Sequence, residues 1–267
     1  MGVLMIITSQ LENNLLEYRI SYAEETPVIG LLRILVTEAE YQILGIMTLP
    51  EYREQGIATD LLNAFLAEIS ADPGRVLPVS VFYPLDKDTQ DIDGFFRSRN
   101  DFLMMESGRS YEVNIPDLLA SPFFRKYGDK QPSQLSLGPL SETSPAISSQ
   151  LFKSLEKAAL MPEAHDEDLS FAMTDPEGKK LLAGLLARRL SASKVSVEAL
   201  YSGSEAGIEA VYCIIAFVKK ISALMPHGRV QVCGVTTQGE ALLDKLTANM
   251  ENVTIRPIIA GIWDLDF

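Results

Sequence analysis

An internal repeat limits the possible folds of this chain more than any single segment does. Tyr18 to Ala23 alternates apolar and polar residues like a strand, Glu24-Glu-Thr-Pro27 reads as a turn, and Val28 to Thr37 and Tyr41 to Leu49 read as two more strands. The same order returns later in the chain. Leu169 to Thr174 is a strand, Asp175-Pro-Glu-Gly178 a turn, and Lys180 to Leu190 and Lys194 to Tyr201 the next two strands, with Gly184-Leu-Leu set against Gly30-Leu-Leu. Each third strand then meets a glycine, Gly56 or Gly207, followed at once by an amphipathic helix, Ile57 to Ser70 or Ile208 to Leu224. Strands at Leu77 to Tyr83 and Arg229 to Val235 come next, then helices at Ile92 to Arg99 and Gln238 to Met250, then strands at Phe102 to Val113 and Val253 to Ile262. Two copies of such an order predict α/β (α+β) domains in tandem, each a mixed sheet with hairpins on one side and crossover helices on the other.

The chain is long enough for this. Its 267 residues, 47% of them apolar, can give each half a core. Between Pro116 and Ser144, four prolines with several Ser and Gly residues mark a hand-over between domains near residues 125 to 135. We therefore take residues 1–128 and 129–267 as the two domains.

Formal net charge is −13, with acidic residues spread along the chain, which disfavours binding to a nucleic-acid backbone. Cys213 and Cys233 lie in apolar runs and form neither a zinc framework nor a disulfide scaffold, as expected of buried thiols in a reducing cytosol. His165 and His227 sit in loops without partners for a metal or Ser/His site, so no metal is expected. The apolar run Val3 to Ile7 is too short for a signal peptide or a membrane span, and the chain is read as cytoplasmic.

One segment carries chemistry. Leu49-Pro-Glu-Tyr-Arg-Glu-Gln-Gly-Ile-Ala-Thr59 places a strand end, a loop and a helix start within eleven residues. The first turn of a helix has N–H groups without intrahelical partners and a partial positive charge, so a loop wrapped over it can aim several amides at one phosphate. Gly56 lets the backbone turn, and Ala58 keeps the approach open. The plainer alternative is an ordinary turn with a solvated Arg53.

The run Pro50-Glu-Tyr-Arg-Glu-Gln-Gly-Ile-Ala58 resembles the signature loop of the GNAT superfamily of acyl-CoA-dependent N-acyltransferases. The element order of both halves is similar to that fold as well, which implies two tandem GNAT-like domains, each with a mixed, mainly antiparallel sheet flanked by helices. The resemblance implies that Arg53, Glu54, Gln55, Gly56, Ile57, Ala58 and Thr59 hold the pyrophosphate of acetyl-CoA or coenzyme A, with Met47 and Thr48 on the preceding strand binding the pantetheine. It further implies transfer of an acetyl group to an amine of a small molecule or peptide. A non-catalytic protein that binds or senses CoA or acyl-CoA is the alternative.

Two departures from the family pattern bear on activity. Aligned on Gly207, the second copy has Ser204 where Arg53 stands and Glu209 where Ala58 stands, so its loop is degenerate and its helix start meets a carboxylate. The family's tyrosine acid falls on Phe96 or Arg97, in the run Gly94-Phe-Phe-Arg-Ser-Arg-Asn-Asp-Phe102. Neither can protonate a thiolate, which leaves Tyr83, at the end of the adjacent strand, as the candidate catalytic acid. Glu51 and Glu54 are expected to face solvent.

Overall fold

The computed structural model describes residues 5–22, 27–71, 77–130, 135–157, 164–203, 207–234 and 237–263. Contacts group the chain into two compact units, Met1–Ser107 with Ile258–Phe267, and Gly108–Pro257. In chain order the elements are β1 (Ile6–Glu12), β2 (Leu15–Ser21), β3 (Gly30–Val36), β4 (Tyr41–Thr48), α1 (Ile57–Ser70), β5 (Val79–Pro84), α2 (Gln90–Arg97), β6 (Phe102–Asn114), α3 (Ile115–Ala120) and α4 (Pro122–Tyr127). Then come β7 (Ser136–Pro139), α5 (Pro145–Lys157), β8 (Phe171–Thr174), β9 (Leu181–Ser191), β10 (Lys194–Ser202), α6 (Ile208–Leu224), β11 (Arg229–Gly234), α7 (Thr237–Thr247) and β12 (Val253–Trp263).

In the first unit the strands run β1-β2-β3-β4-β5-β12, antiparallel except for the parallel pair β4 and β5. Asn13 and Asn14, both at positive φ, close the β1–β2 hairpin, where Glu12 pairs with Leu15. Asparagine tolerates the left-handed region that a two-residue hairpin loop requires. The crossover helix α1 buries Ile57, Leu61, Leu62, Phe65 and Leu66, spaced to share one helix face, against Tyr18, Ile20, Leu32, Ile34, Ile43, Val79 and Val81 of the sheet. Each such side chain removed from water contributes about 1.5–3 kcal/mol, so this stripe fixes where α1 begins. Gly30 brings the backbones close: a Cβ there would lie 2.5 Å from Ile57 Cγ2 and 2.8 Å from Ile20 Cγ2.

The second unit has the order β7-β8-β9-β10-β11-β6, with β10 and β11 the parallel pair. Its crossover helix α6 buries Ala210, Cys213, Ile215, Phe217, Val218 and Ile221 in a core with Leu185, Ala187, Val195 and Val230. On the other sheet face, Ile147, Leu151 and Leu155 of α5 pack with Ala172, Leu181, Leu186 and Ala199. The Gly-Leu-Leu match is not a structural one. Gly30 faces α1, whereas a Cβ on Gly184 would meet Leu151 of α5, 2.6 Å away, on the opposite side of its sheet.

Each unit closes its sheet with a strand from the other half of the sequence. β6 enters the second unit at Gly108 and pairs there with β11 over Arg109–Asn114, while β12 enters the first at Ile258 and pairs with β5. Gly261 makes the incoming strand fit, since a Cβ there would collide with Met104 and approach Val81 Cγ1 to 2.8 Å. In the second unit Glu112 of β6 is nearly buried and takes hydrogen bonds from Lys194, Arg229 and Arg256, at 2.9, 3.0 and 3.2 Å. Burial alone would raise its pKa, but the hydrogen bonds from Lys194 and Arg229 prevail and hold it down at about 2.

The proline-rich stretch is more ordered than its composition suggests. It holds α3 and α4, whose prolines Pro116 and Pro122 sit in the first helical turn, where a missing N–H costs nothing. The second helix of each repeat and the closing strands form where the sequence places them to within a few residues.

Candidate functional site

The site begins where β4 and β5 part. Their parallel register covers only Tyr41–Ile43 against Val79–Val81, yet β4 continues to Thr48 and β5 to Pro84. The two strands therefore diverge from a point beside Ile43 and Val81, leaving an unpaired edge on β4 roughly 15 Å long. A register shift opposite Arg33 and Ile34, which leaves Leu44 without a partner on β3, bends β4 just past that point.

Strand alternation shows which peptide groups line the gap. Leu49 N–H donates to Ile29 O at 2.9 Å, so Leu49, and Met47 two residues before it, direct their backbone polar groups toward β3. The peptide groups of Ile46 and Thr48 then face the gap. Of the two residues suggested by resemblance, Thr48 keeps this position and Met47 does not; Met47 instead presents a 53% exposed side chain on the sheet face away from α1. Ile46 was missed, and the two-residue strand period counted from Thr48 would have found it.

The loop after β4 forms one turn of 3₁₀ helix at Pro50–Tyr52 and then α1. Gly56 is the N-cap of α1 with φ 82° and ψ 0°, and no side chain caps the helix. Asp60 N–H donates to Gly56 O at 2.9 Å, so the helical ladder starts there and the N–H groups of Ile57, Ala58 and Thr59 are those that helix geometry leaves without intrahelical acceptors. Glu54 also adopts positive φ, at 63°. Among the described residues the other non-glycine residues with positive φ are all asparagines, the type that tolerates it best. A strained glutamate two residues before a left-handed glycine makes a concave run of amides, a backbone shape that receives anions.

Side chains around this concavity leave it open. Among the described residues Arg53, 58% exposed, pairs with Asp91 at 3.5 Å, itself largely exposed; Gln55 Nε2 donates to Glu51 O at 3.2 Å, which braces the loop. Ala58 is half-buried and Thr59 exposed at the helix start, and Asp60 adds a carboxylate to the first turn that the sequence reading passed over. Glu51 and Glu54 are exposed, as expected.

Tyr83 is 7% exposed at the end of β5, and its hydroxyl donates to Asp93 Oδ1 at 3.1 Å. Arg97 Nε spans both oxygens of that carboxylate at 2.9 Å. Burial and then the Asp93 hydrogen bond push the Tyr83 pKa well above the ordinary phenol value. Its proton is committed to a carboxylate already held by Arg97. Phe96 is fully buried, so the position where the resemblance puts a tyrosine is occupied by core.

The second unit repeats the scaffold. β10 and β11 pair over Lys194–Val197 and Arg229–Val232 before separating, and Gly207 caps α6 in the left-handed region with φ 64°. Glu209 stands in the first turn of α6, while Ser204 lies outside the described residues. Beneath α6 and α7 is a cavity of about 110 Å³ lined by apolar residues including Val197, Leu200, Phe217, Val232 and Leu243, which supplies no partner for an anion. Among the described residues, no cluster of three or more His, Cys, Asp or Glu is arranged to hold a metal ion, and no helix is long and apolar enough to cross a membrane.

No model of a known protein family matches the sequence, and no curated protein does. Solved structures do match. A tandem GNAT protein from the clavulanic acid biosynthesis pathway superposes with a TM-score of 0.59 at 11% identity, covering 92% of this chain and 82% of that one. The GCN5-related glucosamine N-acetyltransferase region of a fungal multi-domain GH3 beta-N-acetylglucosaminidase gives 0.58 at 12%, covering 94% of this chain and 33% of that one. A GCN5-related N-acetyltransferase from Sphaerobacter thermophilus gives 0.52 at 12%, with 92% and 79% covered. The fold of this chain is thus GNAT-like, as in that tandem GNAT protein, with mainly antiparallel strands flanked by helices.

Proposed function

We propose that this protein, with its tandem GNAT fold, is an acyl-CoA-dependent N-acyltransferase that moves an acetyl group from acetyl-CoA to an amine on a small molecule or peptide. In this reading residues 1–128 and 129–267 are the two copies of the repeat, and the first carries the cofactor site. One observation carries the proposal: an unpaired strand edge at Ile46 and Thr48 leads directly to an uncapped helix start at Ile57, Ala58 and Thr59. A ligand with a diphosphate and an amide-containing arm matches both parts.

The residues present suit that ligand. The amides of Gly56, Ile57, Ala58 and Thr59, with the dipole of α1, take the diphosphate; the loop positions Glu54 and Gln55 shape the concavity, and Arg53 adds a cation at its edge. Hydrogen bonds to charged groups contribute about 1.5–3 kcal/mol each, so three or four give micromolar affinity after ordering costs. The peptide groups of Thr48 and Ile46 take the pantetheine amides as an added strand would. Acetyl-CoA supplies the activated thioester, and no metal takes part in this scheme.

The neutral acceptor nitrogen forms a bond to the acyl carbon, the C–S bond breaks with its electron pair on sulfur, and the proton that the nitrogen gives up passes to the thiolate, so that CoA leaves as the free thiol. An amine with pKa near 10.4 is mostly protonated at pH 7, so exposing its lone pair costs about 4–5 kcal/mol. Orientation by the gap and a β4 N–H near the thioester oxygen supply the remaining assistance.

A second reading has its own support. Tyr83 shares its proton with Asp93, and Phe96 fills the usual acid position, so a protein that binds CoA or acyl-CoA without turnover fits the same loop. Free thiols at Cys213 and Cys233 agree with a reducing, cytoplasmic setting for either reading. Thiol release from acetyl-CoA across a panel of amines separates them. Transfer to any amine supports the enzyme, binding without transfer supports the sensor, and no thermal shift with CoA rejects both.

A further inference from the structure

The first unit's sheet has one face that neither of its described helices covers. α1 and α2 both pack with the core of Leu32, Ile43, Val81 and Phe96. Met47 and Leu31, paired across β3 and β4, lie on the other face with Phe82 of β5 and Ile262 of β12. Met47, Phe82 and Ile262 are 53%, 43% and 43% exposed. In the second unit the face turned away from the crossover helix is covered by α5 through Ile147, Leu151 and Leu155. Among the described residues of the first unit, no helix covers the apolar side chains of this open face.

Its position is what gives it a use. A ligand anchored at the start of α1 and lying along Thr48 and Ile46 runs back toward the parting of the strands beside Ile43 and Val81. Phe82 is the next residue on β5, with its ring on the open face. On that same face Ser80 is 3% exposed and its hydroxyl donates to Glu40 Oε2 at 2.6 Å. Ser80 pairs with Gln42 on one side and Ile262 on the other and lies two residues, roughly 7 Å, from Phe82 along β5, so its hydrogen bond holds Glu40's carboxylate on the face that Phe82 and Ile262 share. Among the described residues the Ser80 hydroxyl is the carboxylate's hydrogen-bond partner, and no cation is paired with it. A carboxylate beside an open aromatic and aliphatic floor matches a cation carried on an apolar body.

We propose that this face is the acceptor subsite and that the acceptor is a primary amine on an aromatic or branched aliphatic body, with Phe82, Met47 and Ile262 receiving the body and Glu40 the ammonium. The inference rests on the acyl-transfer reading for its place in the reaction. Its binding chemistry stands apart from turnover.

Calorimetric titration of phenethylamine, ethanolamine and 2-phenylethanol into the CoA-saturated protein tests it. Phenethylamine is expected to bind at least tenfold more tightly than either of the others. Phe82→Ala should weaken phenethylamine at least fivefold, and Glu40→Gln, which keeps an acceptor for Ser80, should weaken phenethylamine but leave 2-phenylethanol unchanged. Phe82→Leu guards against a folding defect, since it keeps an apolar floor and should retain most of the affinity. Equal affinity for ethanolamine, or no response to Phe82→Ala and Glu40→Gln, overturns the inference while saturable CoA binding keeps the acyl-transfer reading alive. The expected amine pattern without any CoA binding rejects the acyl-transfer reading and keeps the subsite. A Phe82→Ala variant that changes sedimentation from dimer to monomer without changing amine affinity assigns the face to a second copy and also overturns it.

Discussion

Replacing Gly30 by alanine tests how packing under the sheet sets the position of the anion loop. The added Cβ would lie 2.5 Å from Ile57 Cγ2, 2.8 Å from Ile20 Cγ2 and 3.0 Å from Leu61 Cδ1, all well inside van der Waals contact. Two of these are methyls on branched Cβ atoms, which cannot swing away as a long side chain does. Overpacking of this kind costs about 1–3 kcal/mol, and the reduced freedom of the unfolded chain offsets about 0.4–1 of it. A net loss of about 1–2 kcal/mol follows. Because Ile57 is the first residue of α1, relief of the clash moves the amides proposed to bind the diphosphate, and CoA affinity should fall about tenfold, or about 1.4 kcal/mol. The assay is urea unfolding together with calorimetric CoA titration, with Gly94→Ala as the comparison. Gly94 lies inside α2 with nothing within 4 Å of a would-be Cβ, so that change should stabilise by about 0.5–1 kcal/mol and leave affinity alone. A Gly30→Ala protein that unfolds at the wild-type urea midpoint with wild-type CoA affinity would refute the link between β3 and the loop.

Other outcomes follow from the same structure. Glu112, with its pKa depressed from 4.5 to about 2, stabilises the second unit fully above about pH 5, and that contribution is lost as pH falls toward 2. The shift corresponds to about 3 kcal/mol at most, discounted to about 2 because Arg229 is 61% exposed; Glu112→Gln should lose this acid dependence and unfold more easily at pH 7, as followed by far-UV circular dichroism. Tyr83→Phe should cost about 1 kcal/mol of stability from the lost Asp93 hydrogen bond, and an unchanged pH profile of acetyl transfer would remove Tyr83 as the acid, while loss of its alkaline limb would restore it. Cys213 is fully buried and its thiol pKa is pushed up to about 12 by burial, so mass spectrometry after brief exposure to iodoacetamide should find it unmodified in the folded protein and alkylated only in denaturant.

Local chemistry made much of this fold legible. The glycines before α1 and α6 and the 3.6-residue stripes behind them fixed both crossover helices to their observed limits, Ile57–Ser70 and Ile208–Leu224. Strand exchange was not legible, because nothing in the apolar patterns of Phe102 to Val113 or Val253 to Ile262 distinguishes a partner in the near half from one in the far half. Pro116 and Pro122 read as a break because proline ends helices in their interiors, whereas here it begins them. At the candidate site, the loop residues were readable from Gly56 and its helix, since a left-handed cap has a sequence signature. The strand edge was readable only to within one residue: the side chains of Met47 and Thr48 do not reveal which peptide groups lack a neighbour. Glu40 and Phe82 carried no sequence signal, as Glu40 reaches β5, through Ser80, only when β4 and β5 lie side by side.

The central claim is that open amides at the start of α1 bind a diphosphate, and Ala58→Glu tests it most directly. Glutamate at this position, which the second unit has at Glu209, favours the helix by a few tenths of a kcal/mol, so folding is preserved while a carboxylate occupies the anion's place. Calorimetric titration with CoA should give micromolar binding for the wild type and at least thirtyfold weaker binding for the variant. Equal affinity in the two proteins would contradict the account.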